Sequence, residues 1–253
     1  MFAEERRTGI VKMVDQNGQA GVKELSRHFG VTEDCIRKDL AILEQAGRIR
    51  RTHGGAVRKR TNPHALYVAQ RIDKNRDAKR AIAAKALKLI HPGDTVFLDI
   101  STANTELAEL IASSDIPVTV VTNMVDVMLH LIAPCKAELI FLGGVINPGK
   151  DGFIGSMTIG AIENFHFDIA FMGVAGVDPF GNSVETYLVD DGMTKKAVLG
   201  QSREKYLLLE TRKFNEEAPF RYAKLEDFTG LILETPLSGT IFQSLSEYNL
   251  EIL

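Results

Sequence analysis

Residues 30–40, which read GVTEDCIRKDL, constrain the fold of this chain more than any other segment. Ile36, Leu40 and Leu43 recur at intervals of four and three residues, which predicts one buried stripe on a short helix. The hydroxyl of Thr32 is placed to cap that helix by accepting a hydrogen bond from a backbone amide of its first turn. A capped helix start with small polar groups and an adjacent arginine and lysine suits the major groove of DNA. There, the first residues reach base edges while the cations hold phosphate or guanine.

The segments on either side predict a winged helix-turn-helix. Upstream, apolar spacing indicates a first helix that begins near Glu4 and a short second helix that ends at Gly30, a residue suited to a sharp turn. Downstream, the segment GRIRRTHGGAV is typical of a basic hairpin that turns at Gly54 and Gly55. Three helices followed by such a hairpin form the winged motif.

We therefore predict that DNA is contacted from the third helix and from the basic hairpin. The alternative is an ordinary solvated helix, and residues 36–39 taken alone fit both interpretations equally. The helix spacing, the turn and the basic wing together favour the DNA-binding one. The predicted DNA-binding residues are Thr32, Glu33, Asp34, Cys35, Arg37, Lys38, Arg50, Arg51 and His53.

The first segment also resembles a known family. The pattern Arg-x3-Ile-x3-Val-x17-Thr-x2-Cys-Ile-Arg-Lys-Asp-Leu, which runs from Arg6 to Leu40, looks like the N-terminal signature of the DeoR family of bacterial regulators. One position departs, because that signature has threonine where Cys35 stands. Cysteine is a much weaker hydrogen-bond donor than a hydroxyl, so the resemblance implies an altered operator preference if this position contacts DNA.

Composition limits the remaining possibilities. The chain has 253 residues, of which 45% are hydrophobic, and this suggests one or two domains. No apolar run reaches the roughly 18 residues of a membrane span, and the charged start MFAEERRT is unlike a signal peptide. Cys35 and Cys135 are far apart, so neither a disulfide framework nor a cysteine-based metal site is expected. We expect a cytoplasmic protein without metal or cofactor.

Charge is divided unevenly along the chain. Through residue 60 there are 13 Lys/Arg and 8 Asp/Glu, a balance of +5, while the remaining residues hold 17 and 25, a balance of −8. Chance segregation would be a fair explanation on its own. Beside the motif, a basic small domain followed by an acidic larger one favours DNA contact confined to the N-terminus. The predicted domains are a winged helix-turn-helix at 1–57, a linker at 58–75 and an effector-binding and oligomerisation domain at 76–253.

The second part of the chain predicts an α/β fold with a parallel sheet. Short β-rich runs alternate with helical patterns, and the runs are almost continuously apolar, as in strands that are buried on both faces. The predicted strands are 95–98, 118–121, 139–142, 169–172, 206–209 and 231–233. The helical patterns between them include 106–112, 125–132 and 192–204.

Polar or glycine-rich segments follow five of these strands. In parallel sheets, ligands sit outside the carboxyl ends of the strands, and a helix start with hydroxyls and free amides attracts anions. Each segment has a plainer explanation as a helix cap, a turn or a solvated lysine, but five in succession favour one site for an anionic ligand. The predicted ligand-binding residues are Asp99, Ser101, Thr102, Asn104, Thr122, Asn123, Gly143, Gly144, Asp178 and Lys213.

From about Asn75 onward, the chain resembles the effector domain of the DeoR family, which is related in fold to ribose-5-phosphate isomerase. The resemblance implies a Rossmann-like parallel sheet whose pocket receives a phosphorylated sugar or similar metabolite. Two motifs depart. The usual Asp-x-Gly-Ser-Thr-Thr reads DISTAN from Asp99, and the usual Asp-x-Ser-Lys-Phe reads ETRKF from Glu210. The changes at Ala103 and Arg212 alter the set of donors, so they imply an unusual effector or weakened recognition.

The leading hypothesis is a repressor of a sugar or carbohydrate catabolic operon that a phosphorylated sugar releases from operator DNA. A transcriptional activator, or a regulator without a working effector site, is the first alternative. The second is a sugar-phosphate isomerase that carries a DNA-binding domain, which requires a carboxylate and a lysine at the substrate. Asp178, Glu185 and Asp190 are comparable candidates for the carboxylate, as are Lys195 and Lys196 for the amine, so no constellation is distinguished. Because winged helices commonly bind palindromes in pairs, we expect a homodimer or homotetramer.

Overall fold

A computed structural model describes residues 3–17, 19–52, 54–58, 74–237 and 239–253. The chain divides into two compact units, Met1–Thr61 and Asn62–Leu253. Most of the predicted linker, 58–75, lies outside the described residues, so the predicted domain bounds remain predictions.

The first unit contains three helices and a small antiparallel sheet, as the sequence predicts for a winged helix-turn-helix. The strand order is β1-β3-β2. In chain order the elements are α1 (Ala3–Asn17), β1 (Gln19–Gly21), α2 (Val22–Phe29), α3 (Glu33–Gln45), β2 (Ile49–Thr52) and β3 (Gly55–Arg58).

The core of this unit consists of the apolar residues whose spacing predicted the helices. Ile10, Leu25, Ile36 and Leu40 are almost completely buried together. Gly30 ends α2 in the left-handed conformation, with φ of 63°, which glycine adopts without the steric cost of a Cβ. The turn therefore sets the direction in which α3 leaves α2.

A buried ion pair joins α1 to α3. Arg6 Nε donates to Asp39 Oδ2 over 2.6 Å, and Arg7 Nε lies 3.4 Å from Asp39 Oδ1. Asp39 is 4% exposed and faces the interior, while its neighbour Lys38 faces solvent. The pair therefore holds α3 against α1 through the buried face of α3.

The second unit is built on a seven-stranded parallel sheet, which confirms the predicted α/β class. The strand order is β15-β14-β12-β9-β4-β5-β6, and every neighbouring pair is parallel. Its strands are β4 (Thr95–Leu98), β5 (Thr119–Thr122), β6 (Glu138–Phe141), β9 (Phe167–Met172), β12 (Ser202–Leu208), β14 (Gly230–Ile232) and β15 (Glu251–Ile252). All six predicted strands are present, and β15 is additional.

Helices cover both faces of this sheet. Alternate residues of β4 enter different cores: Val96 and Leu98 pack on one face, and Phe97 packs on the other. The helices that supply the first core are α4 (Arg76–Leu87), α5 (Thr102–Ala112) and α6 (Val125–Leu131); those that supply the second are α7 (Ser156–Ile162), α8 (Val189–Gln201) and α9 (Gly239–Leu245).

Smaller strands stand apart from the large sheet. A hairpin joins β7 (Val145–Ile146) to β8 (Phe153–Ile154), and a separate antiparallel sheet contains β10 (Gly176–Asp178), β11 (Ser183–Thr186) and β13 (Phe220–Ala223). Asp178, expected in a polar segment that follows a strand of the parallel sheet, lies instead in β10, because residues 176–178 pair with β11. Residues 202–204, expected to be helical, begin β12 because they pair with β9.

The strand order reverses between β4 and β9. From β4 the chain proceeds outward through β5 and β6, then returns to β9 on the other side of β4 and continues to β12 and β14. The carboxyl ends of β4 and β9 thus flank a switch point, the position where open α/β sheets form their ligand crevices. No helix in the described part of the chain has both the length and the apolar character of a membrane span.

The buried pair predicts a large effect of Asp39→Ala. The substitution leaves Arg6 buried without its counter-charge, so we expect local stability of α1 and α3 to fall by about 3 kcal/mol. Replacing both partners, as Arg6→Met with Asp39→Leu, should cost much less. Hydrogen exchange of the α1 and α3 amides measures the difference, and equal losses in the single and double variants would refute it.

Candidate functional site

The start of α3 is built as the sequence predicts. Thr32 Oγ1 accepts a hydrogen bond from the Cys35 backbone amide at 3.3 Å, so it caps the helix. Thr32, Asp34, Arg37 and Lys38 are exposed, and Glu33 and Cys35 are half-buried. This surface carries two acidic residues, Glu33 and Asp34, and two basic residues, Arg37 and Lys38.

The two cations of α3 are not equivalent. The Arg37 guanidinium is held at 2.7 Å from Glu33 Oε2 and at 2.7 Å from Asp34 Oδ1 on its own helix. The Lys38 ammonium has no ion-pair partner among the described residues. Because exposed pairs contribute about 0–1 kcal/mol, Arg37 can leave these carboxylates at small cost.

The hairpin presents Arg50 and Arg51 to solvent on β2. The backbone amide of Arg51 donates to Glu44 Oε1 over 2.9 Å, which ties the hairpin to the end of α3. Gly55, expected in the turn, begins β3 and pairs with Gly21, where a Cβ would collide with Ala20 O. The predicted contact at His53 lies outside the described residues.

In the second unit, the switch point is held together by Asp99. This residue follows β4 and is 2% exposed; its Oδ2 accepts a hydrogen bond from the Gly173 amide, just after β9, at 2.8 Å. Asn104, at the start of α5, donates from Nδ2 to Asp99 O and to Phe171 O, both at 2.8 Å. Gly173 must lack a side chain, because a Cβ there would lie 2.5 Å from the Ser101 Cβ.

A lysine that the sequence left undistinguished lies at the centre of this end of the sheet. Lys195 of α8 is 2% exposed and bonds through Nζ to Asp99 Oδ2, and it lies 3.7 Å from Asp191 Oδ1. Asp191 Oδ2 in turn accepts from the Thr186 hydroxyl at 2.6 Å. The Lys195 Nζ also lies 5.8 Å from the centre of the Tyr222 ring, whose hydroxyl donates to a backbone carbonyl.

The charges of this cluster control one another. Burial disfavours the charged form of Lys195, but Asp191 and Asp99 outweigh it and raise the pKa of the ammonium. Burial raises the pKa of Asp99, the nearby Asp191 adds to this, and Lys195 opposes it. One cation thus serves two buried carboxylates, and Asp151 contributes further negative potential at Lys195.

The loop before β8 closes another side of the same region. The Phe153 amide donates to Asn123 O and the Asn123 Nδ2 donates to Phe153 O, at 2.9 and 2.8 Å. Asn147 Nδ2 donates to Asp151 Oδ1 at 2.6 Å. Within the described residues, the Asn104 Oδ1 and Asn123 Oδ1 atoms are buried without a hydrogen-bond partner. Two such acceptors near strand ends are suited to hydroxyl donors of a ligand.

Several predicted ligand residues use their polar groups within the protein. Ser101 Oγ accepts from the Ala103 and Asn104 amides, so it caps α5 and occupies two of the helix-start donors proposed for an anion. Thr122 donates to Leu98 O at 2.7 Å and accepts from the Met124 amide. Thr102 is half-buried at the first position of α5.

The glycine pair after β6 allows a close approach. Gly143 O accepts from the Thr158 hydroxyl of α7 at 3.0 Å, and a Cβ at Gly144 would collide with that hydroxyl oxygen. The Thr194 hydroxyl of α8 accepts from the Gly155 amide at 3.1 Å. Both contacts join loops at this end of the sheet to the helices beneath them.

Asp178 and Lys213 are placed differently from the sequence expectation. Asp178 lies on β10 of the separate sheet, and its Oδ1 accepts from the Phe180 amide in a turn. Lys213 lies in a 3-10 turn after β12, where its Nζ is 3.0 Å from Glu216 Oε2 and 3.2 Å from Ala175 O. Burial lowers the pKa of this ammonium, and Glu216 offsets part of the effect.

The strand ends therefore bring together Asp99, Asn104 and Gly173, with Lys195, Asp191 and Tyr222 as members that the sequence did not single out. A helical spacing of four between Asp191 and Lys195 was the available signal, but it is equally common on solvated helices. The described residues hold no group of three His, Cys, Asp or Glu arranged for a metal ion. The acceptors that this arrangement leaves for a further hydrogen-bond donor, within the described residues, are the buried amide oxygens of Asn104 and Asn123.

Comparison with protein families gives two matches that together cover most of the chain. The DeoR-like helix-turn-helix domain matches residues 6–62. The DeoR C terminal sensor domain matches residues 74–235.

Similar curated proteins extend over nearly the whole chain. The Lactose phosphotransferase system repressor of Streptococcus mutans is 32% identical, with 98% of each chain covered. The L-fucose operon activator of Haemophilus influenzae is 30% identical, with 92% of each covered. The Glycerol-3-phosphate regulon repressor of Escherichia coli K12 is 27% identical, covering 98% of this chain and 97% of its own.

Solved structures share less. A ribose 5-phosphate isomerase A from Methanocaldococcus jannaschii is 17% identical and matches 55% of each chain, with a TM-score of 0.41. The eIF2B delta subunit from Chaetomium thermophilum is 13% identical and matches 65% of this chain and 58% of its own, with a TM-score of 0.47.

The cluster predicts a pH-dependent penalty for Lys195→Met. Without the ammonium, the pKa of Asp99 rises further in the folded protein, and a raised pKa contributes stability below the unfolded value of about 3.9 that is lost as pH rises. We expect a loss of about 3–5 kcal/mol near neutral pH, larger at pH ~8 than at pH ~5.

Urea unfolding followed by circular dichroism at the two pH values measures this loss. Lys196→Met is the matched control, because Lys196 is exposed on the same helix and lies over the Phe220 ring at 5.5 Å. That control should cost less than about 1 kcal/mol. A Lys195→Met penalty that is equal at both pH values would contradict the charge assignment.

Proposed function

Because this chain belongs to the DeoR family of DNA-binding transcriptional regulators, we propose that it represses a sugar or carbohydrate catabolic operon and is released by a phosphorylated sugar. The observation that carries the proposal is the buried polar cluster at the switch point of the sheet. It supports a ligand site at the carboxyl ends of the strands in the second unit, and the capped α3 supports a DNA surface in the first unit.

Two kinds of groups support a ligand with hydroxyls at one end and an anion at the other. The unpartnered amide oxygens of Asn104 and Asn123 can accept hydrogen bonds from hydroxyls. Lys213 supplies a cation beside Ala175, two residues beyond Gly173. A phosphate gains charge-assisted bonds from such an ammonium. Named relatives include regulators of glycerol-3-phosphate and lactose phosphotransferase genes, which fits this ligand class.

Activation is the second candidate for the regulatory effect, because the relative from Haemophilus influenzae is named an activator. Both effects use the same DNA surface. An isomerase activity is not proposed: Asp99 and Lys195 neutralise each other and are each 2% exposed, whereas an acid/base pair must reach a substrate. An aldose–ketose interconversion assay tests this directly. We further propose a symmetric dimer or tetramer that acts on operator DNA in the cytoplasm.

The DNA surface predicts a direct effect of Arg37→Ala combined with Lys38→Ala. Each side chain that pairs with a base should contribute about 1–3 kcal/mol to operator affinity. Because both side chains are exposed, their removal should leave folding unchanged. Fluorescence anisotropy with a duplex selected by the parent protein from a random pool measures the affinity. Lys12→Ala, an exposed cation of α1, is the control, and unchanged affinity in the double variant would reject α3 as the recognition helix.

The wing predicts a different signature. Arg50→Ala with Arg51→Ala should weaken binding to selected and random duplexes alike, because phosphate contacts carry no sequence information. The slope of log affinity against log salt concentration should flatten by about 1 for each arginine that no longer reaches a phosphate. An unchanged slope would place both arginines away from the DNA backbone.

If Lys213 binds the effector, the Lys213→Ala variant should keep the operator affinity of the parent. It should also need a much higher effector concentration to be released from DNA. Typical coupling between two sites is about 1–3 kcal/mol. A panel of phosphorylated sugars titrated into the preformed protein–DNA complex, followed by anisotropy, measures release. Equal release midpoints for variant and parent would remove Lys213 from the site. If no compound of the panel releases the parent, the effector is of another class.

A further inference from the structure

A chain of ion pairs runs through the turn that carries Lys213. One carboxylate, Glu216, binds two cations at once: its Oε2 lies 3.0 Å from Lys213 Nζ, and its Oε1 bonds to Arg212 NH1. Arg212 also grips Glu210, with Nε 2.9 Å from Oε2 and NH2 2.8 Å from Oε1. Charged contacts therefore link Lys213 to Glu210 without a break.

The ion-pair chain continues from Glu210 to Asn75. Its Nδ2 donates to Glu210 Oε2 over 2.5 Å, across 135 residues of sequence. Asn75 precedes the first turn of α4 with φ of 56° and ψ of 40°, a left-handed conformation, and its side chain does not cap the helix. In the sequence, residues 59–73 stand between β3 and the described stretch that begins at residue 74. The Glu210 contact thus holds the residue that directly precedes α4.

The charges around Lys213 determine how the ion-pair chain responds to an anion that binds there. An arriving phosphate meets Glu216, a like charge, and competes with it for the lysine. Arg212 lies on the other side of the same carboxylate, so it is the next cation within reach and offers a bidentate fork. A guanidinium that turns to the anion gives up its two bonds to Glu210. Burial works against the charge of Glu210, and the bonds from Arg212 lower its pKa, so their loss removes its main support.

We propose that Arg212 and Glu210 are positioning residues that transmit occupancy of the strand-end site to Asn75, and thereby to the connection with the DNA-binding unit. In the ligand-free protein, Arg212 holds Glu210 and Glu210 holds Asn75. When an anion draws Arg212 away, Glu210 releases Asn75. The inference rests on the proposed function for its ligand class, but the ion-pair chain itself is tested without any ligand.

The first experiment is a double-mutant cycle on operator affinity in the full chain. Arg212→Met removes the guanidinium, and Asn75→Gly removes the amide while tolerating the left-handed backbone. Each single variant should weaken binding to the selected duplex by about 5-fold or more, within the range of typical coupling, without ligand. The double variant should be no weaker than either single one, because both cut the same chain.

Additive losses, or no loss in either single variant, would overturn the proposal. Glu210→Gln is a second, isosteric variant, which weakens the hold on Arg212 and guards against misfolding of the others. Lys224→Met is the matched control, since it breaks an exposed pair with Glu226 at 3.0 Å in the same unit. Circular dichroism melting must show that all five variants remain folded.

The second experiment uses a phosphorylated sugar that releases the parent from DNA. In Asn75→Gly, the affinity of the DNA-free protein for that sugar, measured by calorimetry, should stay within about 2-fold of the parent. The ratio of operator dissociation constants with and without the sugar should fall toward one, whereas typical coupling is about 5- to 150-fold. A purely structural role would change both affinities and leave the ratio, which would also overturn the proposal.

The two experiments distinguish a failure of the proposed effector class from a failure of the ion-pair chain. If no phosphorylated sugar releases the parent but the cycle is non-additive, the proposed effector class fails and the ion-pair chain stands. If sugars release the parent and Asn75→Gly alike, the effector stands and the ion-pair chain is overturned.

Discussion

The contact between Asp99 and the amide of Gly173 determines how the second unit is organised. It ties the end of β4 to the end of β9 at the only place where the strand order of the seven-stranded sheet reverses, within the described residues. The same carboxylate binds Lys195 and so brings α8 against the sheet. Because one buried acid makes both contacts, the junction of the two strand ends and the packing of α8 depend on the same side chain.

A buried aspartate also organises the first unit. Asp39 is buried against Arg6 behind α3, while the opposite face of that helix presents Arg37 and Lys38. The buried pair orients the helix, and the exposed cations remain available because the ion pairs that Arg37 makes are weak and local. In both units, a buried aspartate holds a helix in place through an ion pair.

Local patterns in the sequence predicted the parts of the molecule that depend on near neighbours. The Thr32 cap, the buried stripe from Ile36 and the six apolar strands follow from periodicity and capping chemistry alone. The partners of Lys195 and Lys213 could not be predicted, because they come from elements far away in sequence or from one carboxylate among several in reach. The short strand β10 was missed for the same reason: its pairing with β11 overrides the turn propensity of its residues.

The frame of the switch point is made largely of backbone atoms. The donors and acceptors that Asp99 and Asn104 engage there are the Gly173 amide and the carbonyls of Asp99 and Phe171, and every amino acid except proline carries both groups. The carbonyl of residue 171 is therefore available whatever its side chain, whereas Gly173 must stay glycine because a Cβ there would collide with Ser101. Two side chains, Asp99 and Asn104, thus hold the strand ends together, and loop residues outside them can vary without removing these hydrogen bonds.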